Sequence, residues 1–117
     1  MTAPPTMRYK RGDTGILQYQ LLTYDLDGKR LIPVDLTNQT VKFNMKPLEI
    51  GEFPSVEGGA CEILDEELAI VGYAWGVGET DVVGFYGISW SVTDDDTNEV
   101  VTYPQEGPQR LFITPEI

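Results

Sequence analysis

The sequence predicts an all-β domain, specifically an immunoglobulin-like β-sandwich of about seven to eight short antiparallel strands. Three observations predict it. Val41, Phe43 and Met45 alternate with Lys42, Asn44 and Lys46, and Tyr86, Ile88, Trp90 and Val92 alternate with Gly87, Ser89 and Ser91. This is the two-residue period of strands that bury one face. Twelve Gly and eight Pro break the apolar runs into short pieces, at intervals of roughly ten to fifteen residues, the spacing of a sandwich or barrel. No segment sustains a helical period of 3.6 residues.

Residues 1–11, with Pro4 and Pro5, carry no periodicity and are expected as an extended N-terminal arm; residues 12–117 are expected as a single sandwich domain. Leu17, Tyr19 and Leu21 alternate with Gln18 and Gln20, a strand with one wet face. Asp25-Leu26-Asp27-Gly28 supplies the backbone angles of a tight hairpin turn, so residues 29–34 return as a partner, confined to an edge by Pro33. Residues 35–38 form a polar turn, and residues 41–46 the clearest strand. Residues 48–59 have neither period and are expected as an exposed loop. Cys61 and Ile63 suggest a short strand. Residues 68–75 are apolar on both faces, and Val71, Tyr73 and Trp75 favour a strand there over a helix. A long strand over 86–92, a polar turn at 94–98, a return at 99–103 and a last strand at 110–114 complete the order. Trp75 and Trp90 are the expected core anchors.

At 117 residues and 13.0 kDa the chain has the size of one domain with a real core. No apolar run approaches the roughly 18 residues of a membrane span, and the N-terminus lacks the apolar stretch of a secretory signal. No membrane partner is expected. The absence of His and the single Cys61 exclude imidazole-based nucleophilic catalysis and the usual zinc ligand sets. A net charge of −11 repels phosphate backbones, so nucleic acid is not an expected partner. The charge is uneven: residues 1–46 hold seven bases and four acids, whereas the rest holds Arg110 alone against fifteen acids. Such polarity fits either head-to-tail contact between copies or a solvated surface.

Several constellations suggest chemistry and then fail its requirements. Asp94-Asp95-Asp96-Thr97-Asn98-Glu99 begins like a calcium loop, but Glu99 stands where the sixth-position glycine belongs and Gln105 where the bidentate glutamate belongs. A solvated hairpin turn is expected. Gly12-Asp13-Thr14-Gly15 is similar to the Asp-Thr-Gly of aspartic proteases, yet Lys10 and Arg11 replace the apolar residues that precede it. Cys61, beside Glu62 and without a histidine, reads as a buried structural thiol. No catalytic residue, cofactor site or metal site is expected.

The order of segments carries a resemblance. Gly12-Asp13-Thr14 leads into Leu17-Gln18-Tyr19-Gln20-Leu21, then Asp27-Gly28, then Pro33-Val34-Asp35-Leu36-Thr37 before Thr40-Val41-Lys42-Phe43-Asn44-Met45-Lys46. Tyr73-Ala74-Trp75, Gly84-Phe85-Tyr86-Gly87, Val101-Thr102-Tyr103-Pro104 and Leu111-Phe112-Ile113-Thr114 follow. Over about residues 8–115 the chain resembles the N-terminal domain of phage baseplate upper proteins. The resemblance implies a non-enzymatic structural protein of a tailed-phage virion, in the tail or baseplate, the neck or the capsid surface. Its implied partners are other virion proteins and copies of itself, as a homo-oligomer in the particle. The basic stretch Arg8, Tyr9, Lys10 and Arg11 is the expected subunit contact. The alternative is a carbohydrate-binding or adhesive sandwich, which would use the aromatics Tyr9, Tyr24, Phe53 and Tyr103.

Overall fold

The computed structural model describes residues 6–12, 15–104 and 107–115. Among them the chain is all-β, with eleven strands and no helix. In order these are β1 Met7–Lys10, β2 Ile16–Gln20, β3 Leu22–Tyr24, β4 Leu31–Pro33, β5 Gln39–Pro47, β6 Val56–Ala60, β7 Glu62–Asp65, β8 Ile70–Ala74, β9 Gly84–Asp94, β10 Val100–Tyr103 and β11 Gln109–Thr114.

The main sheet runs β1-β11-β9-β5-β6, and β10 also pairs with β9. β9 is its spine. Along one side β5 pairs antiparallel from Gln39↔Asp94 to Pro47↔Tyr86. Along the other side β10 and β11 lie in tandem, β10 against residues 90–93 and β11 against residues 84–88. The peptide bond between them, Tyr103–Pro104, is cis. A second sheet, β2-β8-β7, is wholly antiparallel, and β3 and β4 form the hairpin expected around Asp25–Gly28. Its turn is closed by Gly28 N–H donating to the Asp25 carbonyl at 2.9 Å, with Gly28 at φ 69°. Pro33 sits on an edge, where its missing N–H costs no ladder bond.

The alternation read from the sequence lands as expected. Val41, Phe43 and Met45 of β5 and Tyr86, Ile88, Trp90 and Val92 of β9 are all buried, together with Leu111 and Ile113 of β11. Leu17, Val71 and Tyr73 of the second sheet belong to the same cluster. Aromatic rings cross the space between the sheets: Phe43 stacks on Tyr73 with centroids 4.4 Å apart, and Tyr19 stacks on Trp90 at 5.6 Å. Trp90 is fully buried, while Trp75 is half-buried against the same cluster.

Three expectations need correction. The stretch 48–59 is not all loop: residues 56–60 are strand β6, which follows β5 across a bulge between Phe43 and Met45. Gly58 breaks the alternation, and its N–H bonds the Asn44 side-chain oxygen at 3.0 Å instead of a ladder carbonyl. The strands number eleven among the described residues, more than seven or eight, because β1 lies in the expected arm, β6 in the expected loop, and the run from residue 16 is broken into β2 and β3. One pairing, β1 with β11, is parallel, so the strands are not all antiparallel. Within the expected arm at residues 1–11, residues 7–10 are strand β1. They are extended, and they are paired with β11 through Met7↔Leu111 to Lys10↔Thr114.

Candidate interaction face

Because inward and outward side chains alternate, the packing that buries Phe43, Ile88 and Leu111 leaves a defined outer face on the main sheet. β5 presents Lys42 and Lys46, β11 presents Arg110, and β1 presents Arg8 and Lys10, all exposed. Five of the eight bases thus share one face of a chain with net charge −11. None of the five has an acidic partner among the described residues. The register sets them in rows. Arg8, Phe112 and Phe85 are cross-strand neighbours, and so are Arg110, Gly87 and Lys46.

The first row is a continuous stack. The Arg8 guanidinium lies 5.7 Å from the Phe112 ring centroid, and Phe112 stacks on Phe85 at 4.4 Å and 18°. In the second row Gly87 contributes no side chain, and a groove of about 520 Å³ opens over it. Its walls are Asn44, Lys46, Pro47 and Leu48 on one side and Thr102, Pro104, Gly107 and Pro108 on the other, with Ser89 beside Gly87 on the floor. A methyl placed on Gly87 would lie 3.2 Å from Pro108 and 3.5 Å from Leu48. The glycine is what lets those two walls approach.

The four expected contact residues divide. Arg8 and Lys10 face outward. Tyr9 is half-buried and packs edge-on against Trp75 at 5.6 Å, because alternation turns it toward the core. Arg11 follows the strand, and its N–H donates to the Thr114 carbonyl at 2.8 Å. Lys42, Lys46 and Arg110 were not singled out from the sequence. Their outward phase was visible opposite Val41, Phe43, Met45 and Leu111, but only the tertiary pairing of β1, β11, β9 and β5 puts them beside Arg8.

The opposite end of β9 is acidic. Gln39 Nε2 donates to Asp94 Oδ2 at 3.2 Å, Thr40 Oγ1 to Asp95 Oδ1 at 2.7 Å, and Thr37 Oγ1 to Glu66 Oε1 at 3.4 Å. These bonds tie the turns at 35–38, 65–69 and 94–99 together, and none of the three turns holds a Lys or Arg. Asp94 is the turn former expected there. Its Oδ1 accepts the N–H groups of Asp96 and Thr97, and those bonds hold its carboxyl below the usual carboxylate range. No group of three metal-ligating side chains occurs among the described residues.

The Cys61 thiol is half-buried and lies 3.5 Å from the Gly59 carbonyl; burial pushes its pKa up to about 12, which leaves it a poor nucleophile. Of the aromatics considered for a sugar platform, Tyr103 is buried, Phe53 packs on Tyr86 at 6.0 Å and Tyr9 on Trp75. Tyr24 is the exposed one. The Asp13-Thr14 pair lies outside the described residues. No protein-family model and no curated protein sequence matches this chain.

Proposed function

We propose that the chain is a non-enzymatic structural module of a tailed-phage virion, acting through repeated protein–protein contact, with its two facing sheets forming an immunoglobulin-like sandwich. The observation that carries the contact role is the exposed apolar surface. On the outer face of β2-β8-β7, Ile16 and Leu64 converge over Gly72, where a methyl would lie 2.6 Å from one and 2.9 Å from the other, and both are more than a third exposed. Leu68 is also exposed, in the turn after β7, and Leu26, Ile50 and Val77 are fully exposed in loops. An antiparallel sheet with one wet face normally presents polar residues there. Ile16 and Leu64 stand there among the exposed Gln18, Gln20 and Glu62, and their apolar ends suit burial against a neighbouring subunit. The fold assignment draws on the core shared by the two sheets and on Trp90 buried between them.

The test is mass spectrometry of particles purified from the virus that encodes the chain. The expected result is its presence at a fixed ratio to the major capsid protein. Absence from purified particles, combined with saturable binding of the purified protein to cell-wall glycans, overturns the proposal in favour of an adhesive module.

A further inference from the structure

We infer that the cationic outer face of the main sheet is the docking surface for the acidic end of a second copy of this chain, in a head-to-tail contact. The inference rests on the self-association within the proposed function and adds to its apolar contact a second, charged one.

Unpaired bases in an acidic chain are the anomaly to be explained. Nineteen acids surround eight bases, yet Arg8, Lys10, Lys42, Lys46 and Arg110 share one face with no acidic partner among the described residues. One carboxylate borders the face, Glu49, whose Oε2 accepts the Phe85 N–H at 3.1 Å without pairing with a base. At the other end of β9 the turns at 65–69 and 94–99 are equally one-sided, with Glu67, Asp96 and Glu99 exposed and no base in either turn.

Lys46 and Arg110 cannot reach the acidic end within one copy, although Lys42, opposite Ser91, stands nearer to it. Lys46 and Arg110 pair with Gly87 near the start of β9, whereas the acidic turn begins at Asp94. Seven residues of strand put about 23 Å between those levels, more than twice the roughly 8 Å Debye length at physiological salt. Complementary surfaces that lie apart on one chain meet between chains, in a heterologous contact that closes into a ring or runs on as a filament. The groove over Gly87 is open, floored by glycine and Ser89 and walled by prolines, with Lys46 at its rim.

Net charge opposes the contact at long range, because each copy carries −11. Association is therefore expected to strengthen as salt first screens that repulsion, then to weaken as higher salt screens the local pairs.

The test uses three full-length proteins: wild type, a face variant (Lys46→Glu with Arg110→Glu) and an end variant (Asp96→Lys with Glu99→Lys). All four positions are exposed, and circular dichroism checks that each variant folds. Sedimentation velocity is expected to show wild type self-associating, and each variant alone weakened by at least about tenfold, as loss of a complementary charge cluster produces. An equimolar mixture of the two variants is expected to regain association, since each then offers the surface the other lacks. Wild-type association unchanged by either reversal overturns the assigned surfaces while leaving self-assembly intact. A wild type that stays monomeric at every salt and concentration overturns the docking itself, and the particle experiment then judges the virion role separately. A monomer that binds heparin, with binding lost in the face variant, overturns it in favour of a polyanionic ligand.

Discussion

Tyr73 joins the two sheets and a loop at once: its ring stacks on Phe43 of β5 at 4.4 Å, and its hydroxyl donates to Glu79 Oε1 at 2.7 Å. The same carboxylate oxygen accepts the Gly76 N–H at 2.6 Å, so Glu79 closes the loop after β8 onto the aromatic core. Tyr73→Phe keeps the stack and removes the hydroxyl, and is expected to cost about 1 kcal/mol in urea denaturation. Phe43→Ala removes a fully buried ring in contact with Tyr73, Trp75 and Trp90, and is expected to cost about 3–5 kcal/mol. Equal costs for the two variants would contradict this ranking.

Two glycines should respond differently to the same small change. A methyl at Gly59 would run into the Tyr73 ring, which is held by Phe43 and Glu79. One at Gly72 would meet the ends of Ile16 and Leu64, both exposed and free to change rotamer. Gly59→Ala is therefore expected to destabilise by about 1–3 kcal/mol and Gly72→Ala by less, as measured by thermal midpoints under identical conditions.

Removing residues 1–10 is expected to weaken the fold itself. β1 covers the free edge of β11, with Met7 and Tyr9 packed against the core and Thr114 Oγ1 donating to the Tyr9 carbonyl at 3.2 Å. Losing two half-buried side chains is worth about 2–4 kcal/mol. A thermal midpoint equal to that of the full chain would show that β1 does not contribute to the domain.

Stability is expected to form a plateau bounded by two pH limits. Burial raises the phenols of Tyr19, Tyr73, Tyr86 and Tyr103, and the Cys61 thiol to about 12. The unfolded chain then loses these protons first, from the ordinary 9.0 of a thiol and 10.0 of a phenol upward, so stability falls as pH climbs past them. On the acid side, backbone N–H groups lower Asp25, Asp35 and Asp94 below the ordinary 3.8. Their contribution is complete above that value and is lost as pH drops below it. Denaturation midpoints from pH 2 to pH 12 check both limbs, and a step in tyrosinate absorbance that coincides with unfolding identifies the alkaline one.

Much of the core was legible from alternation, because burial of one sheet face is a local property of a strand. Val41, Phe43, Met45, Tyr86, Ile88, Trp90 and Val92 were placed inward from their own spacing, and all are buried. Strand β6 was not legible. Val56-Glu57-Gly58-Gly59-Ala60 has no period of its own, and it becomes a strand only because Asn44 and the bulged edge of β5 supply bonds to it. The sites divide in the same way. The Asp94 turn was readable as a structural turn, since its bonds run to residues two and three positions away.

The sequence by itself determined an all-β chain, many of its inward residues and turns, and a net charge of −11. These follow from short-range rules of period, turn geometry and net charge. Only the tertiary structure decided that Arg8 and Lys10, at the N-terminus, stand beside Lys42, Lys46 and Arg110, and that Tyr9 turns away from them toward Trp75. Sheet order is set by pairing between distant strands, and β1 reaches that face only by lying parallel to a strand about a hundred residues further on. A surface composed across four strands has no signature in any one of them.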